Sequence, residues 1–147
     1  MNMLKKLRGQ AEALKEPTDY YHGRCLPENL ILPDSILLFY SMWSVTASQA
    51  HARYLLVIPF CPVVYYVEEA RYELQPGNAL LITPWQRHCH QANARAVLTD
   101  RLLITFELPA PQGYLPQTPL LKLSEKAENC VKTLLVFYET SDALALS

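Results

Sequence analysis

The chain has 147 residues, 50% of them hydrophobic and 18% charged, with 13 Lys and Arg against 14 Asp and Glu for a formal net charge of −1. An apolar fraction that high excludes intrinsic disorder, and the length suits one soluble domain that needs neither disulfides nor a structural metal. The near-neutral charge provides no field to hold phosphates, which excludes nucleic-acid binding by this chain alone.

At the start, Met3, Leu4, Leu7, Ala11 and Leu14 recur at helical spacing between Lys5, Lys6, Arg8 and Lys15, so residues 1–16 are expected as a short helix or arm. All 11 prolines lie from Pro17 to Pro119, which confines helices to the two ends. Between them come short runs rich in β-branched and aromatic residues, at 29–32, 36–43, 53–58, 63–67, 72–74, 78–83 and 101–108. Residues 62–74 read as a hairpin turning at Glu68, Glu69 and Ala70. Gln75, Pro76, Gly77 and Asn78 have the proline and glycine that a type II turn requires. Seven or eight strands with no helical pattern among them predict a mainly β chain, an antiparallel sandwich or barrel, over residues 17–119.

Near the end, Ser124 before Glu125 and Glu128 has the form of an N-cap with an acidic first turn, and a helix is predicted from about Ser124 to Glu139. Val131, Leu134, Leu135 and Tyr138 form its stripe, and Val136 and Phe137 widen the apolar surface beyond one side. Residues 120–147 are therefore expected to be a helical dimerisation segment, with Val131, Leu135, Val136, Phe137 and Tyr138 at the interface.

No run reaches the ~18 apolar residues of a membrane span, since Pro59 and Pro62 interrupt the most apolar stretch. The start has no apolar core of a secretory signal, so a cytoplasmic location is expected. Cys25, Cys61, Cys89 and Cys130 form no CxxC pair and are expected as ordinary thiols.

The runs His51-Ala-Arg53-Tyr-Leu-Leu, Tyr72-Glu-Leu-Gln-Pro-Gly77-Asn-Ala-Leu-Leu-Ile-Thr-Pro84-Trp-Gln-Arg-His88 and Leu103-Ile-Thr-Phe-Glu-Leu108 together resemble the cupin small barrel. More narrowly, they resemble the N-terminal effector-binding domain of AraC-type transcription regulators. Asn78 stands where that family usually has Asp, and Trp85 where it has Gly. The resemblance implies a jelly-roll barrel that binds a small-molecule effector, followed by self-associating helices and a helix-turn-helix region. On that reading the run Ser141 to Ser147 is expected to be cut within the helical region, and DNA would be contacted only through a C-terminal part absent from this chain.

The resemblance also bears on metals. Metal-dependent cupins use a His-x-His, a Glu and a later His; here His51 and His88 take the outer positions, while Arg53 replaces the second His and Val57 or Ile58 stands at the Glu. An Arg in a ligand position repels a divalent cation, by ~4 kcal/mol per unit charge near 4 Å at an effective dielectric of 20. No metal or other cofactor is expected. The alternative is a stand-alone metal-dependent cupin enzyme, an isomerase or dioxygenase, for which His51, His88 and His90 could supply three nitrogen ligands.

The candidate ligand-binding residues are His51, Arg53, Tyr66, Trp85, His88 and His90. In an extended segment His88 and His90 point to one face, and Tyr65 and Tyr66 to opposite faces, of which Tyr66 is assigned to the pocket. Arg53 suits a ligand carboxylate or phosphate, and Trp85 is either a packed lid or a stacking platform. Ser35, Ser41, Ser44 and Ser48 have no nucleophile-elbow setting, and Glu68 beside Glu69 reads as a solvated turn, so no catalytic residue is assigned.

Overall fold

In the strand YLLVIP, alternate side chains part to opposite sides of a sheet, and that alternation organises the molecule. The computed structural model describes residues 3–20, 23, 34–42, 48–92, 99–108 and 119–146. Cys25 and the strand expected at 29–32 lie outside the described residues. The elements run α1 (Met3–Glu12), β1 (Asp34–Ser41), β2 (Tyr54–Pro59), β3 (Val63–Val67), β4 (Ala70–Leu74), β5 (Asn78–Ile82), β6 (His88–Ala92), β7 (Arg101–Glu107), β8 (Leu120–Lys122) and α2 (Glu125–Leu146).

The strands form two antiparallel sheets, ordered β1-β7-β2-β5-β8 and β4-β3-β6. Leu55 and Val57 of β2, Leu80 and Ile82 of β5 and Leu103 of β7 meet Val63, Tyr65 and Val67 of β3 in one buried cluster between the sheets. Ile58, Ala79, Leu102 and Ile104 face the other way, into a second cluster with Leu7 and Ala11 of α1 and Val131, Leu135 and Tyr138 of α2. The chain is thus mainly β, in three layers: helices, five-stranded sheet, three-stranded sheet.

The expected barrel does not close. Among the described residues, ladder pairing ends at β1 and β8 in one sheet and at β4 and β6 in the other. One isolated bridge joins residue Gln49, just before β2, to His88 of β6, with paired backbone bonds of 2.9 and 2.8 Å.

Local signals in the sequence are realised as local structure. Gly77 sits at φ 101° in the predicted turn, Asn78 N–H donates to Gln75 O at 2.9 Å, and Asn78 Oδ1 accepts from Gln75 N–H at 2.8 Å. The β3–β4 hairpin turns at Glu68, which takes a left-handed φ of 54°. Ser124 caps α2, its Oγ accepting from Ala127 N–H at 3.1 Å.

Two features of the last segment bear on its expected role. It begins with strand β8, which pairs with β5, because Leu120 and Leu121 extend the sheet before Ser124 starts the helix. Val131, Leu135 and Tyr138 are buried against the chain's own α1 and sheet, whereas Val136 and Phe137 are 49% and 53% exposed. The stripe has an internal partner because α1 lies across it. Among the described residues no helix is long and apolar enough to cross a membrane.

Candidate functional site

Because β6 is extended, His88 and His90 fall on one side of it, and the register with β3 fixes which side. His88 lies opposite Val67 and His90 opposite Tyr65, residues of the inter-sheet cluster, so both imidazoles face the interior and are buried. The His90 ring stacks on Tyr65, with centroids 5.2 Å apart. Burial pushes the Tyr65 phenol up to about 12. Tyr65 therefore takes the inward place assigned to Tyr66, which is exposed and lies opposite Arg71 and Cys89 on the outer face.

His51, half-buried, approaches from the five-stranded sheet, and its ring meets that of His88 edge-on with centroids 5.0 Å apart. Each Nδ1 lies against a backbone carbonyl, His51 on Arg53 O at 3.1 Å and His88 on Gln86 O at 3.0 Å. A carbonyl oxygen only accepts, so each Nδ1 carries the proton and each neutral ring keeps its lone pair on Nε2. Burial, and after it the neighbouring His88, holds His51 below its ordinary pKa; burial does the same to His88. The buried Nε2 of His88 has no hydrogen-bond partner among the described residues. An unsatisfied buried acceptor costs about 1–3 kcal/mol.

Trp85 stands beside this pair and is neither packed over it nor buried. It is 69% exposed, in a left-handed φ of 66° that is uncommon for a bulky residue, and its backbone N–H donates to His51 O at 2.8 Å. Its loop is tied at both ends: Gln86 Oε1 accepts from Thr83 N–H at 2.8 Å, and Glu68 N–H donates to Arg87 O at 2.8 Å. The backbone thus fixes Trp85 beside His51.

Arg53 is differently placed from what its charge implied. It is 5% exposed, its Nε donates to Thr105 Oγ1 at 3.0 Å, and one terminal nitrogen donates to Ser35 Oγ at 3.1 Å and lies 3.5 Å from Glu107 Oε1. The other terminal nitrogen donates to the Ser35 carbonyl. Ser35 presents both oxygens because it lies in a bulge of β1, at φ 53°. The guanidinium so engaged is a strut between strands and has no open fork for a ligand carboxylate. Sequence reasoning missed Ser35, Thr105 and Tyr65. Thr105 had a signal, since it shares the inward parity of Leu103 and so needed a polar partner.

The His pair does not fit a catalytic metal. His51 and His88 are two donors where such a centre takes three protein ligands, and His90 is engaged with Tyr65 instead of converging with them. Among the described residues no group of three or more His, Cys, Asp or Glu side chains is arranged to hold a metal ion.

No protein-family model matches the chain, and no curated protein matches it. Solved structures similar to it include ToxT K231A from Vibrio cholerae, at TM-score 0.48 and 11% identity over 71% of this chain and 48% of ToxT. A cupin 2 conserved barrel domain protein from Rhodopseudomonas palustris is similar at TM-score 0.42 and 17% identity, over 66% of this chain and 74% of that one. A predicted oxalate decarboxylase from Thermotoga maritima is similar at TM-score 0.43 and 8% identity, over 52% of this chain and 68% of that one. The chain spans 24% of longer oxalate decarboxylase chains that it also resembles. All of these scores lie below 0.5, so no activity or ligand is carried over from them.

Proposed function

We propose that this chain is the ligand-sensing and dimerising domain of an AraC-type cytoplasmic transcription regulator, without its DNA-binding part. The observation that carries the reading is the meeting of His51 and His88 at the end of an apolar interior between two sheets, with Trp85 held beside His51. Small-molecule sites combine an apolar lining with a few converging polar groups. The sequence resemblance over His51 to Leu108 runs through the same segment, from the first His of the pair to the last inward strand. The two-donor set, short of the three protein ligands of a catalytic metal, supports a reading of binding in place of catalysis.

In such a domain a ligand acts by favouring one arrangement over another, which requires different affinities for the two. The exposed side of α2, with Val136 and Phe137, is the surface through which a second copy would report that change. The test is a thermal-shift screen of the full chain against small neutral, anionic and cationic compounds. Saturable stabilisation by one chemical class, lost in His51→Leu, supports the reading. Uniform indifference of the folded chain across the panel overturns it.

A further inference from the structure

The chemistry of the His pair restricts what it can bind. Both Nδ1 protons are spent on backbone carbonyls, so the side chains offer a ligand two lone pairs and no donor. Arg53, the cation expected to meet an anion, is engaged by Ser35, Thr105 and Glu107. Its charge, close enough to depress protonation of His51, also disfavours a bound cation. The Nε2 of His88 is buried and unpartnered among the described residues, so a group that donates to it regains a hydrogen bond they leave unmade.

We infer that the site takes an uncharged ligand with an apolar body and a hydroxyl or N–H donor, the donor being received by the Nε2 atoms of His51 and His88, and that it discriminates against carboxylates. This rests on the reading of the region between the sheets as a small-molecule site, and it adds the polarity of the ligand. His51 is half-buried and His88 buried, so His51 is the more accessible of the two rings, and Trp85, tied by its backbone N–H to His51 O, is exposed beside them. The requirement for a donor also gives selectivity, because an analogue without one leaves the acceptor unpaired.

The probes are phenol, toluene and benzoate, which share one ring and differ in offering a donor, nothing, or an anion. Each is titrated into the full chain at pH 7.5 while the side-chain nitrogen resonances of the histidines and the indole N–H of Trp85 are followed. The expected result is an unprotonated Nε2 on both rings, phenol bound about three- to tenfold more tightly than toluene, and benzoate no better than toluene. In His88→Phe, phenol falls to the toluene level; should that variant not fold, His51→Leu makes the same comparison at the more exposed ring. Benzoate binding most tightly, phenol and toluene binding equally, or a proton on either Nε2 overturns the inference and leaves the sensor reading standing. Failure of all three probes to perturb either histidine or Trp85 overturns both.

Discussion

Arg8 on α1 grips Asp100, the residue just before β7, with two nitrogens, Nε 2.8 Å from Oδ2 and a terminal nitrogen donating to Oδ1 at 2.9 Å. Asp100 is wholly buried and also accepts from the Tyr40 hydroxyl at 2.7 Å, and the same Arg8 nitrogen reaches Phe60 O at 2.7 Å. The Arg8 guanidinium, 5.5 Å from the Phe60 ring centroid, is therefore an anchor of the helix and not part of a solvated basic face. Arg8→Met leaves a buried carboxylate short of its countercharge. Since Arg8 is 31% exposed, the expected loss is about 2–3 kcal/mol, below the full cost of breaking a buried pair. Urea unfolding of Arg8→Met checks this, and an unchanged midpoint would refute the anchor.

The His pair makes stability depend on pH. His51 and His88 both titrate below 6.5 in the folded chain, first because burial disfavours the charged rings. The charges bearing on His51 are those of His88 and Arg53, the latter facing Glu107 and Asp19. Above 6.5 folded and unfolded chains carry the same neutral rings. As pH falls below 6.5 the unfolded chain takes up protons that the folded one refuses, so stability drops. Unfolding free energies at pH 7.5 and 5.5 should differ less in the double variant His51→Leu, His88→Phe than in the natural chain.

Arg53→Lys keeps the charge and removes the fork that spans Ser35 and Thr105. A loss of about 1–3 kcal/mol is expected, with no change in which probe the site prefers. Normal stability together with lost benzoate binding would instead place Arg53 in contact with the ligand.

The two sides of α2 separate by mutation. Leu135→Ala empties a wholly buried position and should cost about 2–5 kcal/mol. Phe137→Glu, on the exposed side, should leave circular dichroism and unfolding unchanged while light scattering reports a dimer dissociating at lower dilution. A monomer at high micromolar concentration in the natural chain would sink the dimer.

Thiol accessibility follows the layers. Burial, with Asp100 nearby, pushes Cys61 up to about 11, whereas Cys130 is exposed on α2. Alkylation followed by peptide mapping should mark Cys130 quickly and Cys61 only on unfolding. Equal rates at the two sites would contradict the placement of Cys61.

What could be read beforehand was what depends on near neighbours. The cap at Ser124, the turn at Gly77 and the shared face of His88 and His90 each follow from residues within a few positions. The fate of Arg53 depends on Ser35 and Thr105, 18 and 52 positions away, and on a bulge that no composition signals. Tyr65 and Tyr66 could not be told apart because VVYYV is apolar at both parities of the strand. The stripe on α2 was legible, but its partner α1 lies at the far end of the chain.

That packing of Leu7 and Ala11 against Val131 and Leu135 sets the order in which the molecule can be made. A nascent chain emerging from a ribosome exposes the apolar side of its first helix until more than a hundred residues later the last helix arrives to cover it. The central ladder is no more local, since β2 must wait for β7. Folding of these layers is therefore expected to wait until the last helix has emerged and to be slow, and the chain to depend on holdase chaperones until then.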